Sequence, residues 1–199
     1  MSADVLNSVD SMSKNPIPVI YQSGYLTIKD YDREFKIYRL GFPNKEVENG
    51  FIKYLLPLYT PIEENKSEFY IANFINDIRR GNPDGFMERL QSLFADSDYK
   101  ITGKMEKYFQ NSMYLIFKMM DFFTEVERTT SRGRMDIVMK TKDYIYVMEL
   151  KLDGTADEAL RQIEDKGYAE PFKSDGRQIY KIGVSFSSET RGIEEWRIE

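Results

Sequence analysis

Histidine and cysteine are both missing from these 199 residues. Their absence excludes Ser-His-Asp and Cys-His nucleophilic sites, and every zinc centre built on imidazole or thiolate. Long apolar runs are missing too. The richest stretch, YLIFKMMDFF, is interrupted by Lys118 and Asp121, so no segment reads as a membrane span. The N-terminal MSADVLNSVDSMS has no apolar region of the signal-peptide kind, and the expectation is a cytoplasmic protein without a membrane partner. Nor is there an excess of positive charge. Lys and Arg number 28 against 33 Asp and Glu, a net −5 that argues against general stickiness toward nucleic acid.

What remains is enough for a real core, with 41% hydrophobic and 14% aromatic residues. Any catalysis must come from carboxylates, Lys, Tyr, Ser or Thr, and carboxylates are hard oxygen donors suited to Mg²⁺ or Mn²⁺. The charge is also uneven. From Arg128 to Lys142, five basic residues (Arg128, Arg132, Arg134, Lys140, Lys142) face one acid, Asp136. Arg132 and Arg134 are candidates for phosphate contacts, with a solvated hairpin as the plain alternative.

Along the chain, a short helix over Val5–Met12 precedes PIPVIYQSG, whose prolines interrupt it. Alternating stretches at Tyr25–Ile28 and Phe35–Leu40, around a polar DYDRE turn, predict a β-hairpin. Pro43 and Asn44 then open a helix with Val47, Phe51, Tyr54 and Leu55 on one face. Helix, hairpin and helix suggest a small winged-helix-like module, although Glu46 and Glu48 at the helix start would repel phosphate. After the polar PIEENKSE come two helices separated by Gly81-Asn82-Pro83. From Lys104 the pattern becomes helix, three strands, helix and a long strand, with EEWRIE as a further edge strand. Thr155 and Glu158 form a capping box at the start of the second of these helices.

The strand YIYVMELKL carries the chemistry. Alternate residues share a face, so Ile145, Val147, Glu149 and Lys151 point one way, and Tyr144, Tyr146, Met148 and Leu150 the other. Both faces are mostly apolar, as in a central strand, and buried charges there need partners. With the turn at Thr141-Lys142 or over the four residues 140–143, Met139 falls opposite Tyr144, Asp136 opposite Val147 and Arg134 opposite Glu149. Asp136 then joins Glu149 and Lys151, roughly 5–8 Å away across the strands. Two carboxylates, with the main-chain carbonyl of Leu150, can hold a hard divalent ion, and the lysine can orient or deprotonate a water. A buried ion cluster that only fixes register is the alternative.

The D…(E)xK arrangement on paired strands within α-β-β-β-α-β resembles the PD-(D/E)XK nuclease superfamily. The stretches SRGRMDIVMKTKDYIYVMELKLDGTADEALRQIEDKGYAEPF and KIGVSFSSETRGIEEW look like a bacterial family within it, usually preceded by an AAA-ATPase-like region. YQSGYLTIKDYD and LGFPNKEV are similar to the segment that joins the two parts in that family. The resemblance implies an α/β, restriction-endonuclease-like core with a mixed sheet. Asp136 and Glu149 would bind metal, Mg²⁺ or Mn²⁺, and Lys151 would be the catalytic lysine. Gln162, followed by Tyr168, matches the helix glutamine of RecB-like members, and Glu106 is a candidate additional acid.

The chain departs from that family in having no G-x-x-x-x-G-K-[ST] loop, and Met135 stands where the name has proline. It is therefore either a C-terminal piece of a larger protein or one that works without the engine; an ATPase-like domain or protein encoded upstream is an expected partner. The expected organisation is a winged-helix-like module over 1–60, a helical connector over 61–98 and a nuclease-like domain over 99–199. The expected function is Mg²⁺-dependent hydrolysis of phosphodiester bonds, in DNA. The alternative is a non-catalytic nucleic-acid-binding or protein-interaction module that keeps the fold.

Overall fold

A computed structural model describes residues 1–2, 6, 15–95, 105–121, 125–131 and 134–199, with side chains except at 105–110, 127–131 and 134–136. The chain divides into two units, Met1–Ile52 and Lys53–Glu199.

The first unit contains α1 (Ile17–Gln22), β1 (Thr27–Asp32) and β2 (Ile37–Gly41), the two strands pairing antiparallel. β1 runs further into the polar DYDRE stretch than the sequence pattern predicts, β2 begins two residues later than expected, and the turn is displaced to 33–36. Asp32 is the cause: its Oδ1 accepts the Glu34 and Phe35 N–H groups, 2.9 Å each, and closes the chain there. Helix α2 (Lys45–Tyr59) is capped by Asn44, whose Oδ1 accepts the Val47 N–H at 2.9 Å. The helix expected at Val5–Met12 lies outside the described residues apart from Leu6.

The second unit is built on a five-stranded mixed sheet, ordered β3 (Glu125–Ser131), β4 (Arg134–Lys140), β5 (Tyr144–Leu152), β6 (Gln178–Ser187), β7 (Gly192–Ile198). Only β5 and β6 run parallel among these neighbours, and helix α6 (Ala156–Asp165) makes the crossover between them. β5 is the central strand and is buried along most of its length, as the apolar character of both its faces requires. One face is closed by α6: Ile145 and Val147 of β5 pack with Leu160 and Ile163 of the helix and with Ala169 beyond it.

The other face is closed by α3 (Ser67–Arg79), α4 (Pro83–Ala95) and α5 (Met105–Met120). Their periodic apolar residues, including Phe74, Ile78, Phe86, Leu90, Ile116 and Phe117, are fully buried. Tyr146 of β5 points into this layer and donates its hydroxyl to the Ile78 carbonyl at 2.6 Å; burial raises its phenol pKa. Gln91 of α4 donates to the Ile193 carbonyl of β7, and Phe94 meets Phe186 of β6 edge to face. The turn between α3 and α4 has to lie close over the sheet. Gly81 there has φ 69°, and a Cβ on it would fall 2.5 Å from the Tyr144 ring.

α3 and α4 supply one wall of the core that buries β5, within the unit Lys53–Glu199. Sequence periodicity identifies helices with an apolar stripe, but it does not say which surface that stripe covers.

Candidate active site

The hairpin β4–β5 determines which residues meet. Its turn is centred on Lys142-Asp143, one residue beyond the expected Thr141-Lys142. Thr141 explains the choice: its N–H donates to the Tyr144 carbonyl at 2.9 Å, and its hydroxyl accepts the Tyr144 N–H at 3.0 Å. That leaves the Thr141 carbonyl free to accept from Arg177 at 2.8 Å. Moving the turn by one residue moves the register by two. Met139 pairs with Tyr146, Asp136 with Glu149 and Arg134 with Lys151, in place of the expected Tyr144, Val147 and Glu149. A two-residue shift preserves the face, because the strand repeat is two. The position of Asp136 is therefore directly across from Glu149. Its side chain, like those of Arg134 and Glu106, lies outside the described residues, and Arg132 lies outside them altogether.

Glu149 is fully buried, at 0% exposure. Burying a carboxylate is costly unless hydrogen bonds replace its water. Gln162 supplies one such bond: its Nε2 donates to Glu149 Oε1 at 2.5 Å. Gln162 reaches it because α6 lies tight against the sheet over Gly183, the β6 residue in register with Glu149. A Cβ at Gly183 would sit 2.2 Å from the Ala156 carbonyl oxygen and 2.8 Å from the Leu160 nitrogen, inside the helix backbone. Glycine at 183 is thus a condition for the Gln162–Glu149 bond. Tyr168 follows Gly167 in the turn after α6 and packs, partly buried, against the α6 side of the core.

Lys151 is half-buried near the C-terminal end of β5, beside Ser185 of β6. Leu150, between it and Glu149, faces the other layer and is 6% exposed. Beyond Lys151 the chain turns at Asp153, Gly154 and Thr155 into α6, where the capping box is fully formed. Thr155 Oγ1 accepts the Glu158 N–H at 3.1 Å, and Glu158 Oε2 accepts the Thr155 N–H at 2.9 Å. The Thr155 N–H, and then its hydroxyl, hold the Glu158 carboxyl below its ordinary range; the nearby Lys151 charge acts the same way. Asp153 escaped the sequence reading. It has φ 54° and bonds to Ser188 on the β6–β7 turn. Its only sequence signal is the Asp-Gly pair, which marks a turn.

Among the described residues no three His, Cys, Asp or Glu side chains gather as a metal-ligand group. The Asp136 position lies across the ladder from the buried Glu149, and carboxylate and carbonyl oxygens are the donor type that suits a hard divalent ion.

Residues 104–196 match the PD-(D/E)XK nuclease superfamily. That superfamily's members are usually nucleases and generally use divalent metals, and the five-stranded mixed sheet with its flanking helices is consistent with the restriction-endonuclease-like fold. A protein of Azotobacter chroococcum mcd 1, described as an uncharacterized protein in the vnfD 5′ region, is 28% identical over 194 residues. The match takes in 91% of this chain but 37% of that relative, so the chain spans little more than a third of its length. No solved structure matches the chain. Among the described residues no helix is long and apolar enough to cross a membrane.

Proposed function

We propose that the chain is a Mg²⁺-dependent nuclease that hydrolyses phosphodiester bonds in DNA, with Glu149, Asp136 and Lys151 at its centre. The observation that supports this best is the buried Glu149 carboxylate, held by Gln162, with Asp136 in register opposite and Lys151 two residues on. A carboxylate that served only the fold would be an expensive way to fill that position, since an apolar side chain of similar size packs there at no desolvation cost.

In this reading Glu149, Asp136 and the Leu150 carbonyl hold the ion. When bound, the ion polarises the phosphodiester and lowers the pKa of a coordinated water. Gln162 fixes the Glu149 carboxylate by occupying one of its oxygens, so that the other is held in a constant direction. The Lys151 ammonium offsets the charge that grows on the phosphate and donates a hydrogen bond to the attacking water. Arg132 and Arg134 contact flanking phosphates. Glu106 of α5 adds a further acid. An ATPase-like domain or protein encoded upstream is the proposed protein partner.

Calorimetric titration of Mg²⁺ and Mn²⁺ beside a gel assay for cleavage tests this. The expected result is binding that Glu149→Gln abolishes and cleavage that EDTA stops. Metal binding without cleavage of any DNA or RNA would identify a non-catalytic module instead. Failure to bind metal at all would reduce the cluster to a buried ion network.

A further inference from the structure

The segment that follows Lys151 is tied down more heavily than a surface turn needs to be. The Asp153 N–H donates to the Phe186 carbonyl at 2.7 Å. Its Oδ1 accepts the Ser188 N–H at 2.7 Å, and its Oδ2 accepts the Ser188 hydroxyl at 2.8 Å. Next to it, the Ser185 hydroxyl donates to the Gly154 carbonyl at 2.7 Å, and Ser185 is itself 4% exposed and in register with Lys151. On the far side, Ser187 Oγ accepts the Glu189 and Thr190 N–H groups, both at 3.2 Å, which shapes the turn that presents Ser188. The Asp153 backbone sits in the left-handed region, φ 54°, which Asp and Asn tolerate better than other side chains.

We propose that Asp153 is a positioning residue: it latches the β5–α6 turn to the β6–β7 turn and so fixes Lys151, before it, relative to Gln162 on the helix after it. The part of the proposal that concerns reaction rests on the nuclease reading above. The reason for such a latch is geometric. Lys151 and Gln162 lie on two elements joined only by Asp153-Gly154-Thr155 in sequence, and the ladder to β6 constrains the strand but not the helix start. Reaction rates are steep in such distances, with a displacement of about 1 Å costing on the order of 10²-fold. The two hydrogen bonds from Ser188 also hold the Asp153 carboxyl below its ordinary range, so it accepts both as a carboxylate near neutral pH.

The test compares Asp153→Ala, Asp153→Asn and Ser188→Ala in the full chain by two readouts. Hydrogen–deuterium exchange over residues 152–160 reads the latch itself and does not depend on activity; steady-state cleavage of DNA with Mg²⁺ reads its consequence. Asp153→Ala should speed exchange there and lower kcat by roughly 10- to 100-fold, with KM and Mg²⁺ affinity unchanged. Asp153→Asn should restore both, because Asn keeps φ 54°, accepts the Ser188 N–H through Oδ1 and donates to the Ser188 hydroxyl through its amide. Ser188→Ala leaves the backbone at 153 unstrained and should give a smaller change of the same sign. It decides the matter if Asp153→Ala fails to fold. Unchanged exchange in Asp153→Ala or, if that variant does not fold, in Ser188→Ala overturns the latch. Exchange restored by Asn with cleavage still lost also overturns the proposal, since it would mean that the Asp153 charge takes part in the reaction. If the wild-type chain cleaves nothing, the nuclease reading fails, while the exchange contrast between Ala and Asn still decides the latch.

Discussion

Replacing Glu149 by Gln removes a buried charge but keeps an oxygen for the Gln162 amide, so its effects on fold and on metal separate. Thermal unfolding should be unchanged or slightly raised, because a buried carboxylate contributes little net stability, while calorimetry should find Mg²⁺ affinity gone. Gln162→Ala acts on the other partner. It takes a donor from a buried carboxylate, and chemical denaturation should read a loss of about 1–3 kcal/mol. Of these residues, Glu149 and Lys151 are legible in the sequence, since E-x-K on an apolar strand places two charges on the wall of a core. Gln162 near Glu149 is expected from the family resemblance, but the bond itself is not legible in the residues. It depends on how far α6 stands from the sheet, and that distance is set by Gly183, a residue with no side chain to read and 34 positions from its partner in register.

At the level of the elements, α6 is the one on which most of the site depends. Gly183→Ala should push it away from β5, because the new methyl would meet the Ala156 carbonyl and not a flexible side chain. Overpacking of this kind costs about 1–3 kcal/mol, and the Gln162–Glu149 bond should lengthen or break, observable as faster exchange of the Gln162 side-chain amide by NMR. The capping box gives α6 a pH dependence whose sign follows from Glu158. Its carboxyl is held below the ordinary value of about 4.3, so the stabilisation is fully present above that pH and is lost as pH falls through the lower folded-state value. Wild type should therefore lose more Tm between about pH 5 and pH 3 than Glu158→Gln, which keeps the box without the charge. Equal slopes for the two proteins would contradict this. The β4–β5 hairpin shows why register was only half legible. Thr-Lys and Lys-Asp are equally unremarkable turn centres, and the second is selected by the Thr141 hydroxyl and by Arg177, which is 36 residues away. The face assignment survived because the slip was by two.

For the whole molecule, the second unit defines what can be cut away. A chain of residues 53–199 should unfold in a single cooperative transition, whereas one beginning at Tyr99 should aggregate or melt without cooperativity, because it lacks α3 and α4 and exposes Tyr146, Phe186 and the apolar side of β7. Tyr146→Phe in the full chain probes the same wall more gently; loss of the bond to the Ile78 carbonyl should cost about 1–3 kcal/mol in denaturant unfolding. The order of helices and strands was legible from periodicity and turn residues, and so was the mixed sheet through resemblance. The surface that α3 and α4 cover is not legible, since their apolar stripes would look the same had they packed on each other alone. The central claim, that Glu149 and Lys151 belong to a phosphodiester-cleaving site, is tested most directly by the rate of DNA cleavage in Mg²⁺ by wild type and by Lys151→Ala, purified side by side. Wild type should cleave and stop with EDTA, and the variant should cleave about 10²–10⁴-fold more slowly with Mg²⁺ binding retained; equal rates for the two proteins, or no cleavage by wild type, would rule such a site out.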